Sequence, residues 1–161
     1  MKKNFIIYTD GSHLKHTSGR LGIGGVLIDP ATNKKISSFS KEISVDYMIK
    51  NYGTSDVSNP TCEMLANLWA LREFASEIGP EDEICMKADY IGVQAWNTKV
   101  WKINKPYIQK IKEDTDAEIK KQRLSGRIKY DWVKGHQKKS VMTKDAYWNN
   151  YVDKLAKGEV V

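Results

Sequence analysis

Two aspartates each follow a strand-like apolar run, and this pairing is the feature of the chain most able to carry chemistry. Residues 5–8 lead through Thr9 into Asp10, and residues 83–88 lead into Asp89. Runs of apolar, β-branched and aromatic residues predict buried strands. We expect each strand to end at its acid, because an unpaired buried carboxylate is costly. Carboxylates held at two strand ends indicate a magnesium site, since Mg²⁺ prefers hard oxygen ligands on rigid elements.

Two further acids, Glu63 and Asp153, lie in segments with helical patterns. Each of the four acids also has a simple structural explanation. Asp10 fits a hairpin turn, and Glu63 fits the positive end of a helix dipole. Asp89 fits a helix cap, and Asp153 fits an ion pair with Lys157 one helical turn away. Taken singly, these explanations are preferred. Taken together, the order and context of all four acids favour a catalytic site.

The patterns between these acids predict an α/β fold with the element order βββαβααβα. Asn59 is expected to cap the first helix and Pro60 to begin it, with Gly79 ending it. The predicted strands are 5–8, 21–28, 35–43, 83–88 and 128–133. The predicted helices are 60–78, 91–103, 106–124 and 146–157. The long loops are predicted at 11–20 and 44–58. Glycines in the second strand indicate close backbone approach or a bulge. The order predicts three layers, with a mixed five-stranded sheet of three antiparallel and then parallel strands flanked by helices.

Composition limits the class of protein. The 161 residues are 40% hydrophobic and 29% charged, which is typical of one globular domain spanning residues 1–161. Twenty-six Lys and Arg against 20 Asp and Glu give a net charge of +6, which favours an anionic partner. Cys62 and Cys85 have no metal-ligand spacing and are expected to be reduced core thiols of a cytoplasmic protein. No apolar run approaches the length of a membrane span, so we expect no membrane partner.

The ordered pieces resemble the type 1 ribonuclease H family (ribonuclease HI) over nearly the whole chain. The matching pieces are Tyr8-Thr9-Asp10-Gly11-Ser12, Ser58-Asn59 followed by Glu63, Ala88-Asp89, Trp132-Val133-Lys134-Gly135-His136, and Asn149 with Asp153-Lys154-Leu155-Ala156. No single piece is decisive, but their order and predicted secondary structure make a specific signal.

The resemblance implies a monomeric endoribonuclease that hydrolyses the RNA strand of RNA–DNA hybrids with two Mg²⁺ ions, for which Mn²⁺ could substitute. By position in the family, Asp10, Glu63, Asp89 and Asp153 would be the catalytic metal ligands, with Asp10 bridging both ions. Acids packed this closely raise one another's pKa until cations relieve them. The resemblance also implies that His136 assists proton transfer or product release, whereas a loop histidine is often simply solvated.

The resemblance further implies contacts with the hybrid, whose 2′-hydroxyl distinguishes RNA from DNA. Gly11, Ser12, Asn59 and Glu63 would contact the RNA, and Ser58 with Asn59 would hold the DNA strand. For Asn59, helix capping is an equally good explanation. The remaining predicted substrate-binding residues are Trp96, Lys99, Trp101, Lys102 and Asn149. Aromatic rings interleaved with lysines suit a nucleic-acid surface, although core packing of both tryptophans explains the same pattern equally well.

Three departures from the family pattern concern the surroundings of the four acids. Tyr90 stands where the family often has Ser, and Asn150 stands where it often has Glu. The loop 137–148 is longer than usual and carries three lysines. None of these departures removes one of the four acids.

Two other functions compete with an active nuclease. Transposases, resolvases and exonucleases share the fold, but they generally lack the combination of Asn59, Glu63 and the Val-Lys-Gly-His segment. A catalytically weak or inactive module that binds hybrid or double-stranded RNA is the main alternative. The presence of all four acids argues against it. A domain detached from a reverse transcriptase is a further possibility, which the first Met disfavours.

Overall fold

The computed structural model describes residues 2–14, 19–135 and 143–159, and these residues form one mixed sheet with helices on both faces. The elements, in chain order, are β1 (Asn4–Leu14), β2 (Arg20–Asp29), β3 (Lys34–Ile43), α1 (Val45–Tyr52), α2 (Asn59–Glu73), β4 (Glu83–Ala88), α3 (Ile91–Asn97), α4 (Pro106–Lys121), β5 (Ile128–Trp132) and α5 (Lys144–Ala156). A short 3-10 turn, Ala75–Glu77, follows α2.

The sheet has the strand order β3-β2-β1-β4-β5. β2 pairs antiparallel with both β1 and β3, whereas β4 pairs parallel with β1 and β5 parallel with β4. Parallel neighbours require a crossover connection, and helices supply it here. The predicted α/β architecture with a mixed five-stranded sheet is confirmed.

Alternate residues of β1 pack into two separate hydrophobic cores, one on each face of the sheet. Ile7 belongs to the larger core, which includes Leu65 and Leu68 of α2 and Ile111 of α4. Tyr8 belongs to the smaller core, which contains Val26 of β2 and Trp148, Val152 and Leu155 of α5. Successive strand residues point to opposite faces, so β1 is the common wall between α2 and α5.

The prediction that the first strand ends at Asp10 is wrong. β1 continues through Asp10 to Leu14, and Asp10 lies opposite Gly24 in the antiparallel pair with β2. The backbone N–H of Gly11 donates to Oδ1 of Asp10 at 3.0 Å, which offsets part of the cost of burying the carboxylate. Residues 11–14 of the predicted loop 11–20 therefore belong to β1. Asp89, in contrast, follows directly after the last residue of β4, as predicted.

The glycines of β2 allow α5 to lie directly on the sheet. A Cβ atom built on Gly22 would lie 1.8 Å from the carbonyl oxygen of Ala156, and one on Gly24 would lie 2.7 Å from Cβ of Leu155. Side chains at these two positions would push the helix away. The predicted close backbone approach at the second strand is confirmed.

The segment 44–58 contains a helix that we did not predict from the sequence. The Ser44 side chain caps α1 by accepting from the Tyr47 N–H, and Gly53 ends it in the left-handed conformation at φ 65°. Met48 and Tyr52 are its buried residues. The short helix therefore satisfies its own ends and buries a small apolar face, which a loop would leave exposed.

Other element boundaries also differ from the predictions. Ser58, and not Asn59, occupies the cap position of α2, so Asn59 is already helical. The helix ends at Glu73, six residues before Gly79, and the ring of the following Phe74 lies 5.6 Å from that of Phe39. α3 ends at Asn97 and α4 at Lys121, both earlier than predicted, and α5 begins two residues earlier, at Lys144.

Cys62 and Cys85 are both buried and unpaired by any disulfide, as expected. Among the residues that the structure describes, no helix combines the length and apolar character needed to cross a bilayer.

Candidate active site

Three of the four predicted acids meet at one edge of the sheet. Asp10 comes from β1, Glu63 from the first turns of α2, and Asp89 from the end of β4. One carboxylate oxygen from each lies within 4.8 Å of the others. Asp10 and Glu63 are each only 4% exposed. Carboxylates this close and this buried form a strongly negative centre that attracts a cation.

Gly11 allows α2 to bring Glu63 to Asp10. A Cβ atom at position 11 would lie 2.3 Å from the carbonyl carbon of Cys62, so only glycine lets the first turns of α2 approach β1 this closely. The Gly11 N–H also lies 3.3 Å from Oε1 of Glu63, to which it donates. Gly11 therefore positions both acids.

Burial makes the charged forms of Asp10 and Glu63 unfavourable. Desolvation raises the pKa of Asp10 to about 7; a hydrogen bond from Glu63 opposes this rise, whereas the charges of Asp89 and Asp153 add to it. Desolvation, followed by the charge of Asp10, raises the pKa of Glu63 well above its usual range. Oε2 of Glu63 is buried and has no hydrogen-bond partner among the described residues. A bound cation would satisfy this oxygen and stabilise the ionised carboxylates.

Asp153 lies beside the three acids on α5. Its charge contributes to the raised pKa of Asp10, which places it on the Asp10 side of the cluster. Its Oδ2 accepts from Nζ of Lys157 at 3.0 Å. The ion pair of the simple explanation is therefore present, and the same carboxylate also borders the acid cluster.

Asn149 and Trp132 hold Asp89. Nδ2 of Asn149 donates to Oδ2 of Asp89 at 3.3 Å, and the Trp132 indole N–H donates to the Asp89 carbonyl at 2.9 Å. Oδ1 of Asn149 is buried without a partner among the described residues. A Cβ atom on Gly135 would come within 2.9 Å of the Asp89 carboxylate. Asn149, predicted from the resemblance to bind substrate, thus contacts an acid directly.

A cavity of about 570 Å³ opens over the acid cluster. It brings together the four acids and three of the predicted substrate-binding residues, namely Gly11, Ser12 and Asn59, and its other lining residues are Tyr90, Trp132, Lys134, Gly135 and Lys157. Site roles for Tyr90, Trp132, Lys134 and Lys157 were not predicted. Trp132 and Lys134 lie within one matching motif, and Tyr90 and Lys157 directly follow two others, but these spacings do not by themselves indicate a common cavity.

A second cavity of about 240 Å³ lies next to the first and shares Tyr90 with it. Ser58, Trp96 and Lys102 line it, together with Lys105. The structure therefore brings these three predicted substrate-binding residues together, apart from the acids.

The two tryptophans differ in environment. Trp96 packs edge-on against Tyr90 at 5.7 Å between ring centroids and against Trp101 at 5.9 Å. Trp96 is half-buried against the larger core, whereas Trp101 is 41% exposed. Lys99 is exposed at a left-handed turn with φ 64° and lines neither of these two cavities. The core-packing explanation therefore holds in part for Trp96 and poorly for Trp101.

His136 lies outside the described residues, as does the first half of the loop 137–148. The predicted role of His136 stays a prediction.

Solved structures share this fold. The N-terminal RNase H domain of Rv2228c from Mycobacterium tuberculosis, solved as a fusion with maltose-binding protein, superposes with a TM-score of 0.70 at 19% identity, covering 97% of this chain and 92% of that one. RNase H1 from the archaeon Halobacterium salinarum gives 0.68 at 19% identity, with 95% and 94% coverage.

LC11-RNase H1, in its complex with an RNA/DNA hybrid, gives a TM-score of 0.66 at 18% identity, covering 97% of this chain and 96% of that one. The related structure of this enzyme is described as isolated from compost by a metagenomic approach. A search of curated protein sequences found no significant match. The model of the RNase H family matches residues 2–160, and since this is nearly the whole sequence, the chain belongs to the RNase H family.

Proposed function

We propose that the protein is a metal-dependent endoribonuclease that hydrolyses the RNA strand of RNA–DNA hybrids and leaves 3′-hydroxyl and 5′-phosphate ends. The observation that carries this proposal is the convergence of Asp10, Glu63 and Asp89 within 4.8 Å at one edge of the sheet. Membership of the RNase H family and the fold shared with an enzyme solved on an RNA/DNA hybrid support it.

The donor set fits hard divalent cations. All the converging atoms are carboxylate oxygens, and the unpartnered Oε2 of Glu63 is an acceptor in need of a cation. Asp10, Glu63, Asp89 and Asp153 would hold two Mg²⁺ ions, or Mn²⁺ in their place. When bound, two such metal ions would activate the attacking water and stabilise the leaving oxygen.

The protein's own groups position the reaction. The Asp10 carboxylate interacts with those of both Glu63 and Asp153, so it would hold divalent ions together with these two neighbours. Asn149 orients Asp89 through the 3.3 Å hydrogen bond. The ammonium of Lys157 borders the same cavity and provides a positive charge near an incoming phosphate. We assign His136 the proton-transfer role that the family resemblance implies.

The hybrid would pass over the two neighbouring cavities. Ser12 and Asn59 line the acid cavity with hydroxyl and amide groups, which are suited to hydrogen-bonding a 2′-hydroxyl. Ser58, Trp96 and Lys102 in the second cavity would contact the DNA strand, with the exposed Trp101 and Lys99 beyond them. An aromatic ring and lysines in this arrangement fit the sugar and phosphates of a nucleic-acid backbone.

Cleavage of defined duplexes tests the proposal. We expect a labelled hybrid to be cut only in its RNA strand and only with Mg²⁺ or Mn²⁺, while RNA–RNA and DNA–DNA duplexes stay intact. Asp10→Asn should abolish cutting, whereas the matched variant Asp46→Asn, which changes an acid in the first turn of α1, should cut normally. Binding of the hybrid without metal-dependent cutting would reject the nuclease and support the binding module instead.

A further inference from the structure

A second polar cluster lies on the α5 face of the sheet, on the same three elements that carry Asp10, Asp89 and Asp153. The Tyr8 hydroxyl donates to Oδ1 of Asp145 at 2.5 Å. Nζ of Lys87 donates to Oδ1 and Oδ2 of the same carboxylate at 3.0 and 3.3 Å. Tyr8 is 1% exposed, and the Lys87 side chain is 16% exposed. We call these three residues the lower rung.

The lower rung is in register with the acid site. Tyr8 pairs directly with Lys87 across β1 and β4. Asp10 follows Tyr8 by two residues on the same face of β1, and Asp89 follows Lys87 by two residues, just beyond the end of β4. On α5, Asn149 follows Asp145 by four residues and so lies one turn further along the same side of the helix.

The distance from Tyr8 to Asp10 along β1 is close to the distance from Asp145 to Asn149 along α5. Two strand residues advance about 6.6 Å, and four helical residues advance about 6 Å. A helix fixed to β1 and β4 at the lower rung therefore brings its next turn level with the acids. The observed contact there is the 3.3 Å hydrogen bond from Asn149 to Asp89, and Asp153 follows one turn later.

Apolar packing alone does not fix the position of α5 along its own axis relative to β1 and β4, which we call its height. Tyr8, Val26, Val152 and Leu155 form a small apolar core beneath α5, and such contacts are non-directional. The Asp145 carboxylate, in contrast, accepts bonds from two strands at once, and a partly buried charge pair is sensitive to geometry.

We propose that Tyr8, Lys87 and Asp145 are positioning residues that set the height of α5 against β1 and β4, and thereby the places of Asn149 and Asp153 in the metal site. This inference rests on the proposed function, because it concerns the same site. None of the three residues lines the cavity over the acid cluster. Small errors in the placement of metal ligands weaken metal binding. Mutation of residues that orient such ligands typically lowers metal affinity about 10- to 100-fold.

The test compares Asp145→Asn, Tyr8→Phe and Lys87→Met with Ser40→Ala as a matched control. Ser40 donates its hydroxyl to the Leu155 carbonyl at 2.6 Å, so the control also removes an anchor of α5, but from the β3 side. Mg²⁺ binding is measured by calorimetry without nucleic acid, alongside thermal unfolding and separate kcat and KM values for the hybrid.

We expect the three lower-rung variants to bind Mg²⁺ about tenfold more weakly and to lose kcat with little change in KM. Ser40→Ala should lose thermal stability while keeping its Mg²⁺ affinity. Lower-rung variants that lose stability but bind Mg²⁺ as the control does would overturn the inference and leave the nuclease proposal intact. A wild-type protein that neither binds Mg²⁺ nor cuts the hybrid would overturn the proposed function, and the inference with it.

Discussion

The ammonium of Lys157 lies 3.0 Å from Oδ2 of Asp153, inside the cavity that also contains Asp10, Glu63 and Asp89. One of the four acids is therefore paired with a cation that belongs to the protein. The pair is partly exposed, with the Lys157 side chain 45% and the Asp153 side chain 31% accessible, so water screens it and its strength is modest. Divalent ions near Asp153 would meet the positive charge of Lys157.

Lys157→Gln should tighten divalent-ion binding. The variant keeps a side chain of similar length but removes the charge that competes for Asp153. Screened interactions at this range are on the order of 1 kcal/mol, so we expect about a fivefold gain in affinity for the more weakly bound Mg²⁺ ion. Calorimetric titration of the protein without nucleic acid measures this change.

The matched control for Lys157→Gln is Lys154→Gln. Lys154 is exposed on the same last turns of α5, but the ammonium that pairs with Asp153 is that of Lys157. Equal gains in both variants would show that only the overall charge matters, and unchanged binding in Lys157→Gln would contradict the competition.

Without metal, the stability of the protein should fall as pH rises from about 4 to about 7. Burial raises the pKa of Asp10 from 3.8 to about 7. Between these values the folded protein holds a proton that the unfolded chain releases, so the free energy of unfolding decreases with increasing pH. We expect a loss on the order of 2–4 kcal/mol, measured by urea denaturation at a series of pH values in chelator.

Asp10→Asn isolates the contribution of this carboxyl group to the pH dependence. The variant has no proton to release at position 10, so its stability should vary less between pH 4 and pH 7, and at pH 8 it should be more stable than the metal-free wild type. A variant with the same slope as the wild type would assign the pH dependence to other groups. Saturating Mg²⁺ should reverse the wild-type trend, because the ions bind the ionised form.

The sequence predicted the order of strands and helices along the chain, the helix that carries Glu63 and the position of Asp89, because apolar periodicity is a local property. Asp10 was wrongly predicted to end its strand, because that prediction took the buried carboxylate to have no hydrogen-bond partner. In the structure the Gly11 N–H is such a partner. The sequence did not predict α1, whose buried residues are only Met48 and Tyr52. Contacts such as Lys87 with Asp145, 58 positions apart, depend on the packing of α5 and have no signature in residue spacing.

Gly11→Ala should disrupt the site through the backbone. The added Cβ atom would lie 2.3 Å from the Cys62 carbonyl carbon, so α2 must move away from β1 and take Glu63 with it. Overpacking of this kind costs about 1–3 kcal/mol. We expect a loss of that size in urea denaturation and a loss of Mg²⁺ binding by calorimetry. The control Ser12→Ala, at the adjacent position, should retain both its stability and its Mg²⁺ binding. Normal Mg²⁺ affinity in Gly11→Ala would show that the site does not need the close approach of α2 to β1.

Lys102→Gln should weaken hybrid binding, because the variant neutralises one phosphate fewer. Lys102 lines the cavity next to the acid site, and each phosphate that a lysine neutralises adds about 1 to the slope of log affinity against log salt. The measurement is hybrid binding across a salt series in Ca²⁺, with Asp10→Asn as background so that cutting does not interfere. Lys120→Gln, at the end of α4 and in neither cavity, should keep the parent slope. If both lysine variants keep it, the hybrid does not pass over the second cavity, and the DNA strand must follow a different surface.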